Sequence, residues 1–115
     1  MHIRRTDQFN SIKYSPIELF EEKIDDVLSK KTDVVFYLST DDPTVENRLK
    51  AKYQDKIFVR KKEFNRNTIT GIQDAVVDMF CLSKTSVIYG SFASSFSEIA
   101  ARIGNIDCIF VKNDE

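Results

Sequence analysis

Short apolar runs alternate with longer amphipathic segments along this chain. The short runs predict strands buried on both faces, as in a parallel sheet that is covered by helices. The segments between them carry apolar residues at spacings of three and four, which predicts helices with one inward face. A short first strand ends at Arg4-Arg5, and the other predicted strands cover 33–38, 57–59, 86–89 and 106–111. The predicted helices cover approximately 16–30, 43–53, 70–84 and 96–103.

The order of these elements predicts the fold class. Strand and helix alternate throughout, and parallel strands joined by right-handed helical crossovers place helices on both faces of one sheet. We therefore expect an α/β fold, a Rossmann-like three-layer sandwich with a parallel sheet of about five strands. At 115 residues the chain is long enough for a single domain, 1–115.

Several residues predict where individual elements begin and end. Ser15 begins a capping-box pattern at the first long helix, and Asp42 is the expected N-cap of the second. Gly90 is expected to end the fourth strand, and Gly104 is expected to form the C-cap of the last helix.

Composition excludes several classes of partner. The formal net charge is -1 and the sequence pI is about 5.9, so no strong basic field attracts nucleic acid or an anionic membrane. No apolar run approaches the roughly 18 residues of a membrane span, and no signal-peptide pattern opens the chain. Cys81 and Cys108 stand in apolar surroundings without metal-ligand spacing, which predicts core thiols. We expect a cytoplasmic protein with no nucleic-acid partner and no metal.

Candidate chemistry lies in the loops that follow the strands, because open α/β sheets bind ligands at the carboxyl ends of their strands. These loops cover 4–7, 39–42, 60–66 and 90–95. The guanidinium groups of Arg4 and Arg5 match phosphate oxygens, and a solvated basic strand end is the alternative. The small residues of the last loop precede a helix whose first N–H groups favour an anion, and a plain serine cap is the alternative there.

Three further acidic positions have both a structural and a functional interpretation. Asp41-Asp42 fits a metal site or a general base, but helix capping is the favoured interpretation. Asp78 borders the apolar stripe of the third helix, so its carboxylate either reaches solvent or finds a partner in the site. A carboxylate can accept two parallel N–H bonds of the kind that guanine offers. Asp74 is expected on the opposite, solvated face of that helix.

The motifs of several common enzyme classes are absent from the sequence. His2 is the only histidine and neither cysteine has a plausible base, so no Ser-His-Asp or Cys-His constellation can be assembled. Neither G-x-G-x-x-G nor a P-loop occurs, which excludes the standard dinucleotide and Walker sites.

Four segments together resemble one family. They occur in the order and at the spacing seen in the nucleotide-sugar-binding half of a group of fucosyltransferases. The segments are HIRRTD at 2–7, YSPIELF at 14–20, FYLSTDDP at 36–43 and DMFCLSKTSVIYGSFASS at 78–95. This group is related to core α-1,6-fucosyltransferase and the nodulation fucosyltransferase. The resemblance covers nearly the whole chain, and it implies half of a two-domain GT-B fold that uses GDP-fucose as donor without a metal or cofactor.

The resemblance also implies roles for individual residues. Arg4 would hold the diphosphate with support from Arg5, and Asp78 would read guanine. The implied catalytic residues are Arg4, Arg5 and Asp7. The implied nucleotide-sugar-binding residues are His2, Arg4, Asp41, Asp42, Asp78, Ser94 and Ser95.

The sequence departs from the family in one place that bears on catalysis. The family carries an acid a few residues after its first motif, a proposed acceptor-activating base, where this chain has Gln8-Phe9-Asn10-Ser11-Ile12. The catalytic base is therefore open, and a non-catalytic nucleotide-sugar-binding or relic domain is the alternative function. A receiver-like signalling domain is disfavoured, because the first strand ends in Arg4-Arg5 where such domains carry acids.

The family comparison also implies what this chain lacks. We expect the N-terminal acceptor domain to be absent, so that a glycan acceptor would bind through that missing domain. The isolated chain is then expected to have little or no transferase turnover, because a closed cleft normally excludes water from the donor. A homodimer through the exposed inter-domain face is a further expectation.

Overall fold

The computed structural model describes residues 1–3, 15–60, 69–92 and 95–112, with backbone alone for 69–71. Strands and helices alternate in the predicted order. In chain order the elements are β1 (His2–Ile3), α1 (Ile17–Lys30), β2 (Phe36–Tyr37), β3 (Ser39–Thr40), α2 (Pro43–Tyr53), a short 3-10 turn (Gln54–Lys56), β4 (Ile57–Phe58), α3 (Ile69–Ser83), β5 (Val87–Ser91), α4 (Ser95–Gly104) and β6 (Asp107–Val111).

The strands form a four-stranded parallel sheet, β3-β1-β5-β6, and a two-stranded parallel pair, β2-β4. The single residue Leu38 separates β2 from β3, so 36–40 is one extended segment that serves both. Its Leu38 N–H donates to the Phe58 carbonyl at 2.9 Å, and its Ser39 N–H donates to the Met1 carbonyl at 2.9 Å. The spatial order across both parts is therefore β4, segment 36–40, β1, β5 and β6.

Side chains of alternate strand residues enter two separate cores, one on each face of the sheet. Helices α1 and α2 cover the first core, where Ile3, Leu38 and Val111 pack with Phe20 and Leu49. Helices α3 and α4 cover the second core, which is built of Leu82, Ile88, Ala100 and Ala101 with Tyr37, Met79, Phe96, Ile106 and Cys108 against them. These two helical layers and the sheet confirm the predicted Rossmann-like three-layer α/β fold.

The predicted helix boundaries agree with the structure to within one residue. The Asp42 cap is confirmed, since its carboxylate accepts the Thr44 N–H at 2.8 Å at the start of α2. Helices α1 and α2 are also tied together, because the buried Glu21 carboxylate accepts two hydrogen bonds from Arg48, at 2.7 and 3.2 Å. This double contact fixes the layer that covers the first core.

The predicted strand 33–38 is shifted toward the C-terminus, since Ser39–Thr40, expected in a loop, is a strand. Three predictions about a cap and two glycines were also wrong. Helix α1 begins at Ile17, and the buried Ser15 hydroxyl accepts the Phe92 N–H at 2.8 Å instead of capping the helix. Gly90 lies within β5 and does not end it. Gly104 is the last residue of α4, and the following residue, Asn105, has the left-handed φ of 54° that was expected of the glycine.

The two misassigned glycines have packing roles. A Cβ at Gly90 would lie 2.5 Å from the Ser97 Oγ and 2.8 Å from the Ser97 Cβ, so its absence lets α4 approach β5. A Cβ at Gly104 would collide with the Ser83 carbonyl, so the end of α4 lies directly against the end of α3. Close helix packing thus explains both glycines. In the part of the chain described by the structure, no helix combines the length and apolar character needed to cross a membrane.

Candidate functional site

The strand order defines one crevice at the carboxyl edge of the sheet. From β1 the chain passes to segment 36–40 on one side, whereas β5 lies on the other side of β1. The helices that follow β1 and β5, α1 and α4, cover opposite faces of the sheet. In open α/β sheets, ligands bind where the connections diverge in this way, outside the carboxyl ends of the two strands. We take this crevice as the candidate site.

The connection from β5 to α4 forms one wall of the crevice. Ser91 ends β5 and is fully buried, and Phe92 after it donates its N–H to the Ser15 hydroxyl. Ser95 is exposed and begins α4, so the first turn of this ten-residue helix opens beside the strand end. Backbone N–H groups at a helix start carry partial positive charge and favour an anion. Ser94, the other serine of the predicted pair, lies outside the described residues.

The first strand brings His2 under the same helix. His2 pairs in register with Gly90, and its ring stacks on the Phe96 ring with centroids 4.6 Å apart. Only 2 % of the histidine is exposed, so it packs beneath the first turn of α4 rather than lining open space. Arg4, Arg5 and Asp7 follow β1 in sequence and lie outside the described residues.

The two adjacent aspartates follow β3 at the same edge of the sheet. Asp42 is half-buried and caps α2, and its own N–H contacts the Thr40 hydroxyl at 3.3 Å. Asp41 is also half-buried and directly follows the strand. The favoured capping interpretation therefore holds for Asp42.

Asp78 lies at the centre of a buried polar network. Its carboxylate is 2 % exposed and accepts a short hydrogen bond from the Tyr37 hydroxyl and another from the Ser39 hydroxyl at 3.1 Å. The guanidinium of Arg60 makes an ion-pair contact with it, with Nε 3.5 Å from Oδ1. Of the two alternatives raised by the sequence, solvent or a partner, the structure has the partner. The carboxylate thereby joins α3 to segment 36–40 and to the residues after β4.

Asp74 was predicted to be solvated on the opposite face, and that prediction was wrong. It precedes Asp78 by one helical turn, so both carboxylates project on the same side of α3. The Arg60 Nη2 lies 3.0 Å from the Asp74 carboxylate and 3.1 Å from the Asp74 carbonyl oxygen. Arg60 is the network residue that sequence reasoning missed, although two acids four residues apart on one helix were a signal that a cation pairs with them.

The network also perturbs the Tyr37 hydroxyl. Burial, followed by the hydrogen bond to Asp78 and the charge of that carboxylate, raises the pKa of Tyr37 far above its ordinary value of 10.0. The hydroxyl therefore acts as a fixed donor toward Asp78 at neutral pH. A protonated tyrosine and an ionised carboxylate form the stronger, charge-assisted type of hydrogen bond.

The structure also has a cavity of about 480 Å³ at the opposite, amino edge of the sheet. Met1, Lys23, Val35, Thr85 and Tyr89 are among its lining residues. It is a poorer candidate than the crevice, because open α/β sheets bind their ligands at the carboxyl edge.

The described site residues thus lie in three places. His2 and Ser95 lie with the first turn of α4 at the crevice between β1 and β5, whereas Asp78 lies in the network one layer behind the sheet. Asp41 and Asp42 follow the neighbouring strand. No protein-family model matches this sequence.

Proposed function

We propose that this chain binds a guanosine diphosphate sugar of the GDP-fucose type in the crevice between β1 and β5, as the donor domain of a metal-independent fucosyltransferase. One observation carries the proposal. Two of the four segments that resemble the family, HIRRTD and the end of DMFCLSKTSVIYGSFASS, lead out of the two neighbouring strands at which the connections diverge. Independent sequence signals therefore converge at the position that this fold uses for ligands.

Charge stabilisation is the chemistry that such a site would supply. A nucleoside diphosphate leaves a sugar with negative charge growing on its β-phosphate, and fixed donors aimed at that charge lower the barrier. In the proposal Arg4 binds the diphosphate, Arg5 supports it, and the first turn of α4 at Ser94 and Ser95 contributes backbone N–H groups. These cationic and dipolar groups would take the place of a divalent cation. Asp7 is the remaining residue with a proposed catalytic role.

The contacts of Asp78 refine its part in the proposal. Its oxygens accept hydrogen bonds from Tyr37 and Ser39, and it has little exposed surface. Reading guanine directly would require those bonds to be exchanged for bonds to the base. We therefore propose Asp78 as a positioning residue, which holds segment 36–40 and so the aspartates Asp41 and Asp42 that follow it.

The second candidate is a domain that binds the nucleotide sugar without catalysing transfer. The absence of a carboxylate in 8–12, where the family carries its proposed base, favours this candidate. Both candidates require nucleotide binding, so binding is tested before turnover.

Isothermal titration of the chain with GDP tests the proposal, with a chelator present and ADP as the matched control. We expect GDP binding that is insensitive to the chelator, and weaker binding of ADP, since the family that this chain resembles uses a guanosine donor. Equal binding of both nucleotides would refute the guanosine part of the proposal. Failure of both to bind would refute the nucleotide site itself.

A further inference from the structure

The outward face of the α3–α4 layer is apolar to an unusual degree. Between 43 and 55 % of each of six large apolar side chains on these two helices is exposed. They are Ile72, Val76, Val77, Phe80, Ile99 and Ile103. Surface helices of a three-layer fold normally present polar residues outward, so this face is not explained by the core beneath it.

These side chains form one patch because the two helices lie side by side. Both helices lead into neighbouring parallel strands, β5 and β6, so they run in the same direction. The contact of Gly104 with Ser83 aligns their ends. Counting back along both helices from that contact places Ile99 between Val76 and Phe80 along the helix axis, and Ile103 just beyond Phe80. We call this six-residue surface the α3–α4 patch.

The charges around the α3–α4 patch are distributed in a specific way. The charged residues of α3 after Gly71 are Asp74 and Asp78, and both turn inward to Arg60. On α4, the exposed Glu98 and Arg102 stand one turn apart beside Ile99 and Ile103. Within the described ranges 1–3, 15–60, 69–92 and 95–112, neither Glu98 nor Arg102 forms an ion pair.

We propose that the α3–α4 patch binds a second copy of this chain, with the two α4 helices antiparallel about a twofold axis that crosses the outward face of α4 between Glu98 and Arg102. In a twofold interface the same surface occurs on both sides, so it must be complementary to itself. An antiparallel pairing brings Glu98 of each copy to Arg102 of the other, and it brings Ile99 against Ile103. The opposite charges of Glu98 and Arg102 fit this arrangement, because each can pair with its opposite on the other copy. A partner that carries charges of one sign could pair with only one of the two residues.

The size of the patch also fits a dimer of modest affinity. Six half-exposed aliphatic and aromatic side chains present roughly 500 Å² of apolar surface, near the upper end for a monomer. With its polar rim, the patch approaches the 800 Å² or so per partner of a standard interface. The apolar residues of the patch on α4, Ile99 and Ile103, come after the first turn of the helix, which contributes to the proposed nucleotide site.

Sedimentation equilibrium from low-micromolar to near-millimolar concentration tests the proposal. We expect the mass to rise from 13.3 kDa toward twice that value. Val76→Asp should hold the chain at the monomer mass, because two carboxylates would be buried at the interface. Val35→Asp is the matched control, since Val35 is 58 % exposed at the opposite edge of the sheet and its replacement should leave association unchanged.

A charge exchange tests the antiparallel pairing without adding a charge to the apolar centre. Glu98→Arg alone should weaken association about tenfold, because each pair becomes two like charges. Adding Arg102→Glu in the same chain should restore the wild-type association constant. A wild-type chain that stays monomeric at all concentrations would overturn the proposal. A dimer that tolerates Val76→Asp, or a double variant that fails to recover, would overturn it equally.

Discussion

The Tyr37 hydroxyl donates a hydrogen bond to the buried Asp78 carboxylate, joining the strand segment 36–40 to the helix that covers it. The two residues are 41 positions apart in sequence, so this contact fixes tertiary structure rather than a local turn. Ser39 donates to the other oxygen of the same carboxylate, two residues further along the strand. Tyr37 and Ser39 share a face because strand side chains alternate. One carboxylate thus organises the part of the sheet that leads to Asp41 and Asp42.

Removing that carboxylate should destabilise the fold strongly. Asp78→Ala leaves the Tyr37 and Ser39 hydroxyls without their buried acceptor, while Arg60 keeps its contacts with Asp74. A buried donor left unsatisfied costs about 1–3 kcal/mol. Asp78→Asn keeps one acceptor oxygen and should cost less. Urea denaturation gives the free energy of unfolding for each variant.

The matched control for these variants is Asp33→Ala. Asp33 is an exposed aspartate in the connection between α1 and β2, and its replacement should change the unfolding free energy by less than about 0.5 kcal/mol. An Asp78→Ala variant as stable as the Asp33→Ala variant would contradict the assignment of Asp78 as a structural anchor.

Tyr37 should resist ionisation in the folded protein. Burial and the Asp78 hydrogen bond raise its pKa, so raising the pH through 10 should leave Tyr37 protonated while the chain is folded. The unfolded chain loses this proton near pH 10, and the free energy of unfolding should therefore be unaffected below that pH and fall above it. The tyrosinate absorbance of wild type and of Tyr37→Phe should coincide near pH 10 in buffer.

The same two proteins in denaturant provide the control for this titration. There the wild type should ionise one more tyrosine near pH 10 than Tyr37→Phe does. If the two proteins differ by one ionised tyrosine in buffer as well, the Tyr37 hydroxyl titrates freely in the folded state.

The approach of α4 to β5 depends on the missing side chain at Gly90. Gly90→Ala should cost about 1–3 kcal/mol, because the added methyl group meets the Cβ and Oγ of Ser97. Ser97→Gly removes both atoms, so the double variant should be more stable than the sum of the single effects predicts. Ser95→Gly, on an exposed position of the same helix, should instead add to Gly90→Ala. Thermal unfolding of the wild type, the three single variants and the two double variants tests this. If the effects of Gly90→Ala and Ser97→Gly simply add, the contact between the two residues is refuted.

The pattern of apolar residues was sufficient to predict the order of the elements. Buried strands between amphipathic helices have few alternative arrangements, since parallel strands and right-handed crossovers leave only a small set of topologies. The Asp42 cap was also predictable, because its bond to the Thr44 N–H joins neighbours in the chain. Such local interactions do not depend on which strands become adjacent.

The contacts of polar side chains between distant segments were not predictable in the same way. Arg60 reaches Asp74 and Asp78 because β4 lies beside segment 36–40, and strand order has no local sequence signal. Ser15 stands at a position typical of a helix N-cap, but its hydroxyl accepts the N–H of Phe92, the residue after β5. For the candidate site, the sequence indicated which segments lie at the crevice. The burial of His2 and Asp78 could not be predicted, because it depends on how the helices pack on the sheet.

The two adjacent arginines should differ in their effect on nucleotide binding. Arg4→Ala should weaken GDP binding more than Arg5→Ala, because the family resemblance assigns the first arginine to the diphosphate and a charged hydrogen bond contributes about 1.5–3 kcal/mol. Isothermal titration of both variants with GDP measures the difference. If both variants lose the same affinity for GDP, the assignment of Arg4 rather than Arg5 to the diphosphate is wrong.

The most direct test of the proposed function is to locate the bound nucleotide by amide chemical shifts in NMR, for which a 13.3 kDa chain is well suited. On addition of GDP, we predict that the largest shifts lie at the carboxyl ends of β1 and β5 and in the first turn of α4, including Ile3, Ser91 and Ser95. Thr32 and Thr85, at the amino edge, should not shift. Absence of shifts, or shifts confined to the cavity at the amino edge, would contradict a nucleotide site between β1 and β5.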